Sequence, residues 1–261
     1  MNISHLTDKK IIESFLRKDA DLHFYLLADL EDPFWNYSTW YALKRESSVY
    51  ALVMLYGGLS IPTLTALARE NLQEHGELLE SLHEYFPNRM YASISPGLIS
   101  AVGSKFSLMS QGTHYKMVLK HPEAILQKAE FHCTRLTLAN FEELSDFYSI
   151  HYPGSWFTRD MVATNQYYGI RESGKLVAAG GVHVRSTLYR VAALGNIVTS
   201  APYRGHGYAT AITAAICKSL LTSAELIGLN VKSDNASAIT CYRKLGFEIV
   251  ATYDEYSMTR L

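Results

Sequence analysis

The stretch from Leu194 to Leu221 reads LGNIVTSAPYRGHGYATAITAAICKSLL. Its first residues are apolar and include Val and Ile, which favour a strand. Its last residues carry apolar side chains at three- and four-residue steps, which predicts a helix. Between them, Arg204-Gly205-His206-Gly207 holds two glycines in three residues, and glycine allows backbone turns that a Cβ forbids. The sequence therefore predicts a strand, a glycine turn and a helix in succession.

A glycine turn that opens a helix is suited to binding an anion. The first N–H groups of the helix lack partners within the helix, and the helix dipole favours negative charge there. Arg204 adds a guanidinium whose donors match phosphate oxygens. We therefore expect a phosphate-bearing ligand at this turn, although a glycine helix entry without a ligand would read in the same way.

Three phosphate-binding loops contain glycines of this kind. A nucleotide P-loop requires Gly-Lys-Ser/Thr after the glycines, whereas this turn continues with Tyr208-Ala209, which excludes it. A dinucleotide-binding turn requires G-x-G-x-x-G/A and an acidic residue about twenty positions later. Glu225 fits that acidic position, but Thr210 stands at the third small position, so this alternative is weakened and stays open. The third pattern, R-x-x-G-x-G/A, is satisfied from Arg204 to Ala209.

A second motif follows at residues 235–247, NASAITCYRKLGF, which gives the string N-x-x-A-x-x-x-Y-x-K-x-G-F. A strand-like segment, Glu225 to Val231, lies between the two motifs. Together the loop and this string resemble the two signatures of the GCN5-related N-acetyltransferases, the GNAT family. The resemblance covers roughly the C-terminal half of the chain.

The resemblance implies that the protein binds acetyl-CoA (coenzyme A). In this family the strand before the loop is splayed from its neighbour. Its exposed backbone pairs with the pantetheine arm, and one of its N–H groups polarises the thioester carbonyl. Asn235 is expected to touch the cofactor, although capping its own helix would explain it equally well. The cofactor site implied by the resemblance consists of Ile197, Val198, Thr199, Arg204, Gly205, His206, Gly207, Tyr208, Ala209 and Asn235.

Tyr242 matches the tyrosine that protonates the leaving thiolate in many family members. A phenol can do so because its pKa, near 10, lies above that of a thiol. The alternative is a tyrosine that packs a helix against the sheet.

The general base is harder to assign from the sequence. Histone-type members of the family carry a glutamate on the strand before the loop, but Ala193 stands at that position here. His183 is the candidate base because an imidazole titrates in a suitable range, although a histidine in an apolar strand can also be a packed core residue. Glu172, Tyr168 or an ordered water chain are alternatives. Tyr167, Tyr168 and Trp156 are candidates for the acceptor pocket, or else for the core.

The chain of 261 residues is long enough for one large domain or two small ones. A charged connector from His121 to Glu130 predicts a boundary that separates residues 1–125 from 126–261. Both halves show the same predicted order: strand, two short helices, three strands, helix, strand, helix, strands. We therefore predict an α+β fold with a mixed sheet, in which a degenerate GNAT-like N-terminal α/β domain precedes a GNAT-like domain with splayed central strands. The alternative is chance, since many α+β domains share this order. Two-part chains of this kind are also similar to the glycine N-acyltransferase branch of the superfamily, which implies a small amino-acid-like acceptor.

Composition limits the remaining function classes. The net charge of −1 argues against a general nucleic-acid binder. Cys133, Cys217 and Cys241 are odd in number and lack paired spacing, which indicates a reduced, intracellular setting and no metal site. The N-terminal residues are charged throughout, and no apolar stretch reaches the length that spans a membrane, so we expect a cytoplasmic protein.

These observations predict an N-acetyltransferase in which a neutral primary amine attacks acetyl-CoA directly. The acceptor would be a small molecule or a peptide, with no nucleic acid or membrane partner, and the protein would be a monomer or homodimer. The alternative is a non-catalytic acyl-CoA-binding or sensing protein. The missing carboxylate favours that alternative, and Tyr242 argues against it.

Overall fold

The computed structural model describes residues 2–127 and 132–261, and the chain forms two compact units. The first unit runs to Lys116 and includes Val250–Leu261, and the second is Met117–Ile249. These limits differ from the predicted boundary between residues 125 and 126. The reason is that the chain divides within two long strands, which a change in composition does not reveal. Residues 128–130 of the predicted connector lie outside the described residues.

The first unit is a mixed sheet with helices. Its elements are β1 (Asn2–Leu6), α1 (Lys9–Leu16), α2 (Ala20–Ala28), β2 (Ser38–Arg45), β3 (Ser48–Tyr56), β4 (Thr63–Ala66), α3 (Leu72–Ser81), β5 (Arg89–Ile94), α4 (Ser100–Gly103) and β6 (Phe106–Leu119), which continues past the unit boundary. Strands β1 to β5 are neighbours in sequence order, and only β4 and β5 pair in parallel. The C-terminal strand β12 (Phe247–Arg260) pairs antiparallel with β5 from Asp254 to Thr259.

The second unit has the same general design. Its elements are α5 (Glu123–Leu126), β7 (Thr134–Leu136), α6 (Phe141–His151), α7 (Arg159–Ala163), β8 (Tyr167–Glu172), β9 (Lys175–Ser186), β10 (Val191–Thr199), α8 (Tyr208–Leu220), β11 (Leu226–Lys232), α9 (Ala236–Lys244) and the start of β12. The sheet order is β11-β10-β9-β8-β7, and β10 pairs in parallel only with β11. The order of strands and helices predicted for both halves is therefore present in both units. The duplication that would explain it stays a prediction.

Strands β10 and β11 are paired at one end only. Their register joins Val191–Leu194 to residues 226–229, and β10 then continues to Thr199 without a further partner in β11. On its other side β10 carries a bulge against β9 between Gly195 and Val198. The predicted splay of the strand before the glycine turn is thus confirmed. No helix in the described part of the chain is both long and apolar enough to cross a membrane.

Candidate active site

A cleft of about 670 Å³ lies in the second unit. Its wall includes the end of β10 beyond the last pair with β11, the glycine turn, and the first residues of α8. Helix α9 and the last residue of α6 complete the wall. The cleft therefore joins the two sequence motifs, which lie about thirty residues apart along the chain, in one site.

Most of the residues expected to hold the cofactor line this cleft. The exception is His206, whose Nδ1 lies 3.1 Å from the carbonyl oxygen of Tyr203 and 3.0 Å from that of Arg204. Its ring therefore folds back onto the turn and does not contribute to the wall. The predicted residues that do line the cleft are Ile197, Val198, Thr199, Arg204, Gly205, Gly207, Tyr208, Ala209, Asn235 and Tyr242.

The glycine turn depends on left-handed backbone angles. Gly205 has a φ of 83° and Gly207 a φ of 81°, which residues with a Cβ rarely adopt. A Cβ at either position would meet no atom within 4 Å, so the angle and not crowding requires glycine. Gly207 is the N-cap of α8, no side chain caps the helix, and its first turn holds no acidic residue. The start of α8 therefore has neither a side-chain cap nor an acidic first turn, and its residues Gly207 to Thr210 line the cleft.

Tyr242 lies in α9 and is buried, and it also forms part of the cleft wall. Burial raises the pKa of its phenol well above the ordinary value, and Cys241 and Tyr152 raise it further. Its ring centre lies 6.0 Å from that of Phe247, so Tyr242 also packs α9 against β12. A phenol that keeps its proton at neutral pH can donate it inside the cleft.

Residues 130–247 match the model of the acetyltransferase (GNAT) family. The chain contains a GNAT-family domain. This domain covers the cleft, the glycine turn and both sequence motifs. No curated protein matches the chain in sequence.

Solved structures resemble the chain over nearly its whole length. A Drosophila protein has a TM-score of 0.72 at 15% identity and covers 98% of each chain. A GNAT acetyltransferase from Colwellia psychrerythraea has a TM-score of 0.62 at 12% identity, over 99% of this chain and 100% of that one. A GCN5-related N-acetyltransferase from Sphaerobacter thermophilus has a TM-score of 0.61 at 13% identity, over 99% and 96%. At these identities the likeness establishes the fold, and it confirms the predicted two-part, GNAT-like α/β architecture.

Asn235 caps helix α9 of the GNAT domain. Its Oδ1 accepts hydrogen bonds from the backbone N–H of Ala238 at 3.2 Å and from Oγ of Ser237 at 3.1 Å. The capping role that the sequence left open is thus present. Asn235 also lines the cleft, so it can cap the helix and contact a ligand at the same time.

His183 does not line the cleft. Its ring packs over the backbone of Gly195, where a Cβ would lie 2.2 Å from the imidazole. Burial lowers the pKa of His183, and a hydrogen bond with Asn196 opposes that shift. His183 therefore lies in a packed environment inside the GNAT domain, as expected for the alternative that it is a core residue.

The other candidate bases are engaged elsewhere. The Tyr208 hydroxyl donates a hydrogen bond to Oε1 of Glu172, and Tyr168 accepts one from Nη2 of Arg135 at 2.8 Å. Tyr167 is fully buried, and Trp156 is 37% exposed with its ring 5.9 Å from that of His183. None of the four residues predicted here, Glu172, Tyr168, Tyr167 and Trp156, belongs to the cleft wall.

Asn196 organises the bulge of β10, and the sequence analysis missed it. Its φ is 54°, an angle that asparagine tolerates better than most residues. Its Nδ2 donates to the carbonyl oxygen of Trp156 at 2.9 Å and to Oη of Tyr167 at 3.2 Å. Its carbonyl oxygen accepts a hydrogen bond from Oη of Tyr148 at 2.9 Å. These bonds hold the backbone immediately before Ile197, the first β10 residue of the wall.

Two residues at the end of α6 also line the cleft, and they were not predicted from the sequence. His151 and Tyr152 precede a Pro153-Gly154 break, and a polar aromatic pair at such a helix end was the available signal. The remaining wall residues that were not predicted are Tyr203, Thr210, Ser237, Ala238, Thr240, Cys241 and Lys244. In the described residues, no group of three or more His, Cys, Asp or Glu side chains is arranged to hold a metal ion.

Proposed function

We propose that this protein is an N-acyltransferase that moves an acetyl group from acetyl-CoA to a primary amine. One observation carries the proposal: the uncapped start of α8 and the protonated phenol of Tyr242 belong to the same cleft. The first feature suits a pyrophosphate, and the second suits a leaving thiolate. The GNAT-family domain supports acyl transfer as the reaction class.

The pyrophosphate of the cofactor would lie against the glycine turn. Backbone N–H groups from Gly205 to Ala209 would donate to its oxygens, with the guanidinium of Arg204 beside them. Hydrogen bonds to charged groups contribute about 1.5–3 kcal/mol each, more than the roughly 0.3–1 kcal/mol of a helix dipole alone. The N–H groups therefore provide most of the binding, and the dipole adds to it.

The free end of β10 would bind the pantetheine arm. Ile197, Val198 and Thr199 line the cleft, and none of them has a partner in β11. Their backbone groups can form hydrogen bonds with an amide-containing chain, and an N–H among them can polarise a carbonyl. Acetyl-CoA, when bound, supplies the acyl group as an activated thioester.

Tyr242 would complete the transfer. As the nitrogen–carbon bond forms and the carbon–sulfur bond breaks, its phenol donates a proton to the departing thiolate. The phenolate then recovers a proton from solvent. Because burial raises the pKa of Tyr242, its phenol holds this proton at neutral pH before the transfer begins.

The acceptor is proposed only as a class. A small molecule or a peptide with a primary amine fits direct attack, and a small amino-acid-like acceptor follows if the resemblance to the glycine N-acyltransferase branch holds. A cytoplasmic location and a monomeric or homodimeric state remain predictions. Because the phenol of Tyr242 belongs to the cleft wall, where it can donate a proton, catalysis is favoured over a purely sensing role.

The test combines acetyl-CoA with a panel of primary amines and the full chain. Mass spectrometry would detect acetylated amine, and a thiol reagent would detect free coenzyme A. We expect both products in equal amounts for at least one amine. Tight binding of acetyl-CoA without acetylation of any amine would support the sensing alternative and overturn the proposal.

A further inference from the structure

We propose that His151 is the general base that takes a proton from the attacking amine. This inference rests on the proposed function and names a residue that the two GNAT motifs do not contain. His151 is the last residue of α6, is half-buried, and belongs to the wall of the cleft.

The composition of the cleft wall leaves few side chains that could act as a base. No aspartate or glutamate is among the described residues that line the cleft, and neither His183 nor His206 is. The other ionisable side chains there are tyrosines, Cys241, Arg204 and Lys244. Phenols, guanidinium and ammonium groups carry their protons at neutral pH and cannot accept another. Histidine is the side chain that most often acts as a general base in enzymes, so His151 is the wall residue suited to accept the proton.

The position of His151 in α6 also suits this role. The last turn of α6 is tied to the bulge of β10, because Oη of Tyr148 donates to the carbonyl oxygen of Asn196 at 2.9 Å. The helix ends when the N–H of Tyr152 donates to the carbonyl oxygen of Tyr148 at 2.8 Å, which fixes the backbone around His151. The bulge leads directly into Ile197, which lines the cleft. The helical turn that carries His151 is therefore hydrogen-bonded to the strand whose end lines the same cleft.

His151 and the proposed acid, Tyr242, line the same cleft. Tyr152, its neighbour in sequence, lies close enough to Tyr242 to influence the pKa of that phenol. The ring of His151 itself is held against Phe147, with 4.8 Å between ring centres. A base and an acid on the same wall can serve the two ends of one transfer. A protonated imidazole at the carbonyl end of α6 also interacts favourably with the helix dipole.

The proton balance closes without a further reactant. The amine nitrogen forms a bond to the acyl carbon as the carbon–sulfur bond breaks. An imidazole nitrogen of His151 takes the amine proton, and Tyr242 gives one to sulfur. His151 is half-buried and can then release its proton to solvent, from which Tyr242 recovers one.

The experiment compares His151→Gln with the wild type, with His132→Gln as the matched control. His132 is an exposed histidine of the same unit that does not line the cleft. We expect His151→Gln to keep the acetyl-CoA affinity within about twofold by calorimetry. Its kcat/KM for the amine should fall by about 10²–10⁴-fold at pH 7, with loss of the acidic limb of the pH profile. His132→Gln should behave as the wild type does.

A second variant separates chemistry from packing. In His151→Ala, added imidazole should restore at least a tenfold gain in kcat, which a packing defect would not allow. Retention of the wild-type pH profile in His151→Gln, or no rescue of His151→Ala while its acetyl-CoA affinity is intact, would overturn the role of His151 alone. A wild type that binds acetyl-CoA but acetylates no amine would overturn the proposed function and this inference together.

Discussion

Asn196 donates a hydrogen bond from Nδ2 to Oη of Tyr167 at 3.2 Å, and both groups are buried. The bond joins the bulge of β10 to β8, two strands away in the sheet. Because buried polar groups are costly when unpaired, the bond ties the shape of the bulge to the core of the GNAT domain. The buried side chains of the core therefore fix the backbone of β10 that leads into the cleft.

Replacing Asn196 should destabilise the protein. Asn196→Gly keeps the left-handed angle but loses the side-chain bonds, and we expect the free energy of unfolding to fall by about 1–3 kcal/mol. Asn196→Ala should lose a further 1 kcal/mol or so, because alanine disfavours that angle. Urea unfolding of the two variants measures the difference. Equal stability of both variants and the wild type would show that the hydrogen bonds of the Asn196 side chain contribute nothing to the free energy of unfolding.

Gly207→Val should abolish acetyl-CoA binding. A β-branched residue is strongly disfavoured at a φ of 81°, so the turn and the first N–H groups of α8 would move. Gly207→Asn is the matched control, because asparagine tolerates this angle, and it should retain more affinity than valine does. Calorimetric titration gives both affinities, and far-UV circular dichroism checks the fold. Unchanged affinity in Gly207→Val would rule out the turn as the phosphate site.

Tyr242→Phe should lower kcat by about 10²–10⁴-fold if protonation of the thiolate limits turnover, with acetyl-CoA affinity nearly kept. The phenylalanine ring preserves the contact with Phe247 and removes only the proton donor. Steady-state kinetics across the alkaline range measure the effect. A kcat equal to that of the wild type at every pH would assign Tyr242 to packing.

One chain should bind one molecule of coenzyme A. The corresponding helix of the first unit, α3, follows Asn71 at a φ of 52° and has no glycine turn. Its first turn carries Glu74, which repels a phosphate, and Arg69 is paired with Asp19 at 3.1 Å. Titration of the full chain should give a stoichiometry of one, lost entirely in Gly207→Val.

The intact chain is required for that titration. A fragment of residues 1–125 lacks Val250–Leu261, the segment that pairs with β5 in the first unit. A stoichiometry of two, or residual binding in a folded Gly207→Val variant, would place a second site in the first unit.

His23 should make the first unit sensitive to acid. Burial, with smaller contributions from the charges of Lys116, His75 and Arg69, lowers the pKa of His23 to about 3. In the unfolded chain a histidine titrates near 6.5. Below that pH the unfolded state therefore binds a proton at His23 that the folded state does not bind. The contribution of His23 to stability is therefore lost as pH falls from about 6.5 towards 3.

The variant His23→Leu removes this titration. The difference in unfolding free energy between wild type and variant should change by at most about 1.4 kcal/mol per pH unit below pH 6.5, in favour of the variant. Urea unfolding at several pH values between 7 and 4 measures it. A difference that does not vary with pH would mean that the pKa of His23 is the same in the folded and the unfolded protein, and would contradict this prediction.

The sequence alone was enough to predict the turn from Arg204 to Gly207 and the cap at Asn235. Left-handed glycines and helix starts are local features, since they depend on residues next to each other in the chain. The same holds for the strand that feeds the turn and for most helices and strands. The splay of β10 was predicted from the family resemblance and not from the residues themselves.

The tertiary structure decided what depends on distant contacts. Asn196 stands in a run of apolar residues, and only its bonds to Trp156 and Tyr167 reveal that it holds the bulge. The sequence offered His183 as a candidate base, and only the structure shows that its ring packs against the backbone of Gly195. His151 lines the cleft because α6 ends there. Such placements arise from packing between elements that are far apart in the chain, so neither hydrophobic periodicity nor motif spacing can predict them.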